Sequence, residues 1–266
     1  MKPSRLHLFA RFVTFCTLLL VMSGAGVTSS RDQHRQVALQ DFHTAAAIVD
    51  ALLIVGLFIW LVRTGAQPWL RRFGWGTLAL LVVDAGPGKF QGPVAGTLHA
   101  GLAVLLFAAI AAIALFTSPS WQRDAELVQD YGWPSLRFLS SAAAFLVAVQ
   151  VGFGAGFRHS AVGVLPHLLG ALVVALFIMI VGAFVTHQFG KHAVLRPMAV
   201  ALMVITGIQA FLGMAAFLLR MMETAGTLLF LAISVAHVAT GSMTFALSVM
   251  LAIEIRRSVL PRAQET

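Results

Sequence analysis

The sequence holds nine histidines, and four of them stand where an ionisable side chain is costly. His43, His99, His167 and His237 fall within long apolar blocks, and such residues usually face the interior of a helix bundle. The other five have plainer readings. His7 and His34 lie near a terminus or in a loop, His187 and His192 flank a basic loop, and His159 closes an apolar block, so all five are expected to be solvated or interfacial. Two imidazoles presented from facing helices at one depth supply two nitrogens along one axis, which is how a six-coordinate heme iron is held inside a bundle. Zinc or di-iron would need a different ligand set, with acidic residues beside the histidines, and none is expected there. The pairs inferred are His43 with His99 and His167 with His237. Cys16 is the only cysteine, which rules out an intramolecular disulfide and a cysteine-based zinc site.

The elements that must carry these histidines are membrane helices. Hydrophobic residues make up 59% of the 266 positions and charged residues 11%, against about 25% charged in an average soluble domain. The apolar residues come in blocks near the ~20 residues a helix needs to cross a bilayer, not in the short alternating runs of a barrel. Eight spans are expected, at roughly 8–28, 42–63, 73–86, 93–117, 136–156, 163–186, 196–219 and 227–254. The third is short and ends in the breaker run Asp84-Ala85-Gly86-Pro87-Gly88-Lys89, so a count of six or seven stays open. The first, behind Lys2, Arg5 and Arg11, has the flanks of a cleaved signal peptide, but a repeat makes it a structural member.

That repeat orders the histidines. Ser23-Gly24-Ala25-Gly26 near the end of span one matches Phe153-Gly154-Ala155-Gly156 in span five. His43 and His167 open spans two and six, while Leu98-His99-Ala100-Gly101 in span four parallels Ala236-His237-Val238-Ala239-Thr240-Gly241 in span eight. The fold class expected is an all-α integral membrane protein of two repeated four-helix bundles, residues 1–130 with the His43/His99 site and residues 131–266 with the His167/His237 site. Gly96, Ala100, Gly101, Gly170, Ala171, Ala239 and Gly241 would let helices approach a flat macrocycle, as small residues do at any membrane helix interface.

Net charge is +8, yet the basic residues punctuate the apolar blocks and form no patch for nucleic acid. With the N-terminus inside, Lys2, Arg5, Arg11, Arg63, Arg71, Arg72, Arg123, Arg137, Lys191, Arg196, Arg256, Arg257 and Arg262 fall on the inner side. Arg31, Arg35, Lys89, Arg158 and Arg220 fall on the outer side, where they are placed to neutralise heme propionates or simply to meet water. This asymmetry of the 18 basic residues places both termini in the cytoplasm of a cell inner membrane. Of the acidic residues within spans, Asp50 lies seven residues beyond His43 near the same helix face, and Glu254 sits close to the inner interface.

In its four histidines, their order and its eight blocks, the chain from Arg11 to about Arg256 resembles the heme A synthase family. The resemblance implies eight helices in two halves, with His43 and His99 flanking the heme O substrate and His167 and His237 holding heme b through its iron. It implies oxidation of a methyl group of heme O to the formyl group of heme A, with heme O synthase or respiratory-complex subunits as partners beside membrane lipid. Family members typically carry a glutamate one helical turn before the first histidine and an arginine after it, where this chain has Gln40 and Thr44. Leu168 follows the third histidine where an arginine is typical, and the first outer loop lacks the cysteine pair of many members. Asp41 is the nearby carboxylate in sequence and is the candidate catalytic residue, although it points to a different helix face from Gln40. The alternative function is a non-catalytic diheme cytochrome b that carries electrons or serves a respiratory complex.

Overall fold

The computed structural model describes residues 3–86, 92–130, 132–222, 224 and 226–261. Lys2, Lys89, Arg262 and the end of the breaker run, Pro87–Lys89, lie outside the described residues. Eight α-helices dominate them: α1 Arg5–Ser29, α2 Gln33–Arg63, α3 Pro68–Ala85, α4 Pro93–Phe116, α5 Leu136–Arg158, α6 Val164–Gln188, α7 Leu195–Met221 and α8 Leu228–Ser258. All except α3 are long and apolar enough to cross a membrane, so this is a multi-pass membrane protein. The 18 residues of α3 rise about 27 Å, close to the ~30 Å hydrocarbon core, but they include Arg71, Arg72 and Asp84.

Local chemistry explains the helix ends. The side chains of Ser4, Asp32, Ser135 and Thr227 each accept a hydrogen bond from a backbone N–H in the first turn of α1, α2, α5 and α8. Proline opens α3 and α4, where its missing N–H costs nothing. The largest departure from the sequence reading is the start of α2. It begins at Gln33, nine residues before the expected span, because Asp32 caps it and the polar stretch Gln33–Asp41 continues as helix beyond the apolar block.

Helices α1 to α4 pack in sequence, with α4 closing back on α1, and α5 to α8 do likewise, with α8 closing on α5. Between these quartets run the contacts of α8 with α1 and α4, and of α4 with α5. One core cluster gathers Val13, Leu57, Leu61 and Ile110 in the first quartet. Another gathers Ile178, Leu195, Leu202, Leu251 and Ile255 in the second and reaches Val21, Val104 and Phe107 of the first. Large apolar residues such as Leu52, Leu172 and Phe211 are exposed, as lipid-facing side chains are.

The connection between the quartets is tied to the end of α8. Strand β1 (Val128–Gln129) pairs in parallel with β2 (Val259–Leu260). Arg137 Nε donates to the Val259 carbonyl at 2.7 Å. The Arg257 guanidinium lies 4.5 Å from the Trp121 ring centre, donates to the Trp121 carbonyl at 2.9 Å and pairs with Glu254 at 3.5 Å. Buried Asp130 accepts from the N–H groups of Gly132 and Leu136 at 2.9 and 2.7 Å. Arg137 and Arg257 therefore staple the fold as well as marking one side of it.

Candidate functional site

His43 on α2 and His99 on α4 meet inside the first quartet, their ring centres 6.3 Å apart and their planes at 82°. His167 on α6 and His237 on α8 meet inside the second, 6.2 Å apart and at 81°. Two imidazoles bound end-on and opposite one another to a single metal would stand about 6.2 Å apart between centres, from metal–nitrogen bonds of ~2.0 Å and ring radii of ~1.1 Å. Both separations therefore fit one metal held between each pair.

Each ring is held through Nδ1. His43 Nδ1 lies 2.8 Å from Ser23 Oγ, whose own hydroxyl donates to the Leu20 carbonyl at 2.7 Å, so the ring donates to serine. His99 Nδ1 donates to the Asp84 carbonyl at 3.2 Å, and His237 Nδ1 to the Gln209 carbonyl at 3.1 Å. In these three rings the lone pair lies on Nε2, the tautomer a metal-bound histidine needs. At His237, however, the Gln209 side-chain amide nitrogen already lies 3.5 Å from Nε2 and must turn away before a ligand can bind there. His167 differs, since the Gln150 amide nitrogen bridges its Nδ1 at 2.9 Å and its own carbonyl at 2.8 Å. An amide donating to Nδ1 places the proton on Nε2. Turning the amide end for end would present Oε1, which is buried without a partner, to an Nδ1–H. It would also set that oxygen 2.8 Å from the His167 carbonyl oxygen, so the side chain would have to move as well as turn.

Glycines admit the rings. A Cβ on Gly24 of α1 would lie 3.0 Å from His43 Cε1, and one on Gly154 of α5 would lie 3.0 Å from His167 Cε1. A Cβ on Gly213 of α7 would come within 2.7 Å of His237 Cε1. The small residues expected at a macrocycle do other work in part. Gly170 leaves room for the Gln150 amide, Gly241 for Gln209 and Gly96 for the His159 ring, while Gly101 has nothing within 4 Å of a built Cβ.

The structure corrects several expectations. An acidic residue does stand beside one pair, because α3 runs back along α4 and brings Asp84 to His99. Asp84 Oδ1 lies 3.0 Å from His99 Nδ1 without hydrogen-bond geometry, the backbone carbonyl of Asp84 taking the bond instead. That oxygen is buried and has no hydrogen-bond partner among the described residues. Asp41, like Gln40 and Thr44, is exposed on α2. No group of three metal-ligating side chains forms among the described residues, so Asp84 backs the pair and does not complete a ligand triad.

His7 and His192 are buried, contrary to expectation, because each satisfies a helix end. His7 Nδ1 meets the Ala114 carbonyl of α4 at 3.0 Å. His192 Nδ1 accepts from the N–H groups of Val194 and Leu195 at the start of α7. His34 and His187 are exposed, and His159 is half-buried against Gly96. Asp50 does face the bundle, where Thr17 of α1 donates to it at 3.1 Å, and Glu254 is buried beside Arg257. Of the cations expected on the outer side, Arg158 reaches the Ala25 carbonyl and the Thr28 and Ser29 hydroxyls at the end of α1. The Arg220 guanidinium sits 4.9 Å from the Phe157 ring centre, and Phe157 in turn stacks on His167 at 6.3 Å. Arg31 is exposed and Arg35 half-exposed.

Gln150, Gln209 and Ser23 were not singled out from sequence. A glutamine inside an apolar span is itself a signal, since its amide must find a partner in lipid. Comparison with known proteins adds nothing to this geometry: no family model matches the chain, and no curated protein matches it.

Proposed function

We propose that the chain is a diheme membrane protein of two repeated four-helix halves, with His43 and His99 as axial ligands in one half and His167 and His237 in the other. The observation that carries this is the recurrence of one ring separation and one interplanar angle in both quartets, at the value one shared metal requires. Gly24 and Gly154, at matching places in α1 and α5, meet the first histidine of their pair at the same distance, which supports the repeat. A heme bound there would supply a redox-active iron, and the two imidazoles of each pair would hold it.

The residues around the two pairs divide the work. Ser23 and the Asp84 carbonyl fix His43 and His99 with Nε2 free, and the Gln209 carbonyl sets the same tautomer in His237, whose Nε2 the Gln209 side-chain amide must vacate. Gln150 must present its oxygen to His167 Nδ1 and draw away from the His167 carbonyl for that ring to serve as a ligand through Nε2. Among the described residues, only the first pair has a carboxylate within reach of an imidazole. A carboxylate behind a ligating histidine makes it a stronger donor and favours the oxidised metal. The first half is thus suited to oxidation of a bound heme O, and the second to a fixed heme b that carries electrons.

The reaction we propose is the four-electron oxidation of a heme O methyl group to the formyl group of heme A, in which water supplies the formyl oxygen, four protons are released and four electrons pass to an electron acceptor outside the bundle. Asp84, not exposed Asp41, is placed to take up protons that this oxidation releases. Co-expression with a heme O synthase in a host lacking its own heme A synthase should yield heme A, and Asp84→Asn should reduce it more than Asp41→Asn. Wild-type protein that accumulates two stoichiometric hemes b, with no heme A or hydroxylated intermediate, would replace this reading with the non-catalytic diheme cytochrome. The orientation proposed, with both termini cytoplasmic, rests on the basic asymmetry. A reporter active only in the cytoplasm should work when fused after Thr266, and activity from a periplasm-dependent reporter at that site would refute the orientation.

A further inference from the structure

Away from the histidines, a cleft of about 480 Å³ opens between the last turns of α2 and the first turns of α3. Its walls are of two kinds. Phe58, Val62 and Trp75 form an apolar side, with Phe58 and Trp75 rings 4.5 Å apart, and Arg63, Arg71 and Arg72 form a cationic side. All three arginines are exposed, and among the described residues no Asp or Glu oxygen comes within 4.0 Å of them. The start of α3 adds to the positive end, since Gln67 makes no side-chain cap and its Oε1 accepts from Trp69 Nε1 at 3.0 Å instead.

The geometry points to this cleft as a binding site for one anionic phospholipid, its phosphate diester on Arg63, Arg71 and Arg72 and its first acyl carbons against Phe58, Val62 and Trp75. Three arginines on one cleft repel one another, and a phosphate with two accepting oxygens relieves this with paired hydrogen bonds. A zwitterionic lipid carries its own ammonium group and offers less compensation. A free phosphate would satisfy the arginines but leave the aromatic wall in contact with nothing. The cleft lies where the membrane helix α2 ends and α3 begins, and basic pockets at the ends of membrane helices hold lipid headgroups. This inference does not depend on heme.

The test is lipid binding by the full chain in detergent, followed by native mass spectrometry during titration with phosphatidylglycerol or phosphatidylcholine of the same acyl chains. One phosphatidylglycerol should bind well before any phosphatidylcholine. Arg71→Gln/Arg72→Gln should weaken that first phosphatidylglycerol roughly thirtyfold, from the usual contribution of two cations near a headgroup. The variant Arg63→Lys/Arg71→Lys/Arg72→Lys keeps charge and fold while losing the paired geometry, and should fall between. Equal affinity for the two lipids, or a first phosphatidylglycerol unaffected by the glutamine pair, would overturn the proposal. So would full displacement of the lipid by millimolar inorganic phosphate, which would make the cleft a phosphate site.

Discussion

The two histidine pairs share a geometry and differ in what stands behind it. Ring separations of 6.3 and 6.2 Å and angles of 82° and 81° are indistinguishable, and the glycine facing the first ring of each pair is equally close. Behind the rings, His99 and His237 each bond a backbone carbonyl, but the first pair also leans on a serine hydroxyl and the Asp84 carboxylate, the second on the side-chain amides of Gln150 and Gln209. The surroundings of Gln209 are closed as well, because Thr240 donates to its Oε1. A charged and incompletely bonded group supports one pair, and neutral amides support the other. In the proposed heme sites, geometry of ligation and electrostatics of support would thus be set by separate residues, so that one scaffold could hold two sites with different redox properties.

The hardest break of the comparison removes a ligand. His167→Ala or His237→Ala should abolish the same low-spin b-type optical signal, while His43→Ala or His99→Ala should spare it and alter the other site. Near-perpendicular imidazole planes leave two iron d orbitals almost equal in energy, so each intact site should give a strongly anisotropic low-spin EPR signal. Unchanged optical and EPR spectra in all four variants would make these residues structural histidines.

A finer break removes only the charge. Asp84→Asn keeps the backbone carbonyl that holds His99 and deletes the carboxylate, so the midpoint potential of the first site should rise. Taking ~1.5 kcal/mol for the interaction lost, the rise is about 60 mV, with the second site unmoved. A shift of both sites together, or of neither, would deny Asp84 its selective role. The mirror-image change, Gln150→Leu, should weaken heme retention at His167 alone, since that ring loses its anchor without any change of charge.

Much of this was legible before the structure. Blocks of bilayer length gave seven of the helices within a few residues, because length and apolarity are what a bilayer demands. The start of α2 was not, because the residues from Gln33 to Asp41 are polar and their helicity depends on the cap at Asp32. The histidine pairs were visible in the order of the repeat. Asp84 was hidden, since it sits in a run that reads as a turn and reaches His99 only because α3 folds back along α4. His7 and His192 were misjudged for a related reason. Proximity to a loop says nothing about whether a ring is turned inward to satisfy a helix end, as both are.

The smallest expected effect tests whether the two halves are equivalent where they look most alike. Gly24 and Gly154 each leave 3.0 Å between a built Cβ and the facing histidine Cε1, closer than side chains normally approach. Alanine at either position must push its ring by a few tenths of an ångström, and the ring is tethered at Nδ1, so the push becomes a tilt. Overpacking of this size costs about 1 kcal/mol. Gly24→Ala should therefore lower thermal stability slightly and disturb only the spectrum of the first site, and Gly154→Ala should do the same for the second. If the two halves are true repeats the two losses should match, because the same contact is crowded in each. A loss confined to one of them would show that the rings are held with different tolerance despite equal distances, with the hydroxyl of Ser23 and the amide of Gln150 as the source of the difference.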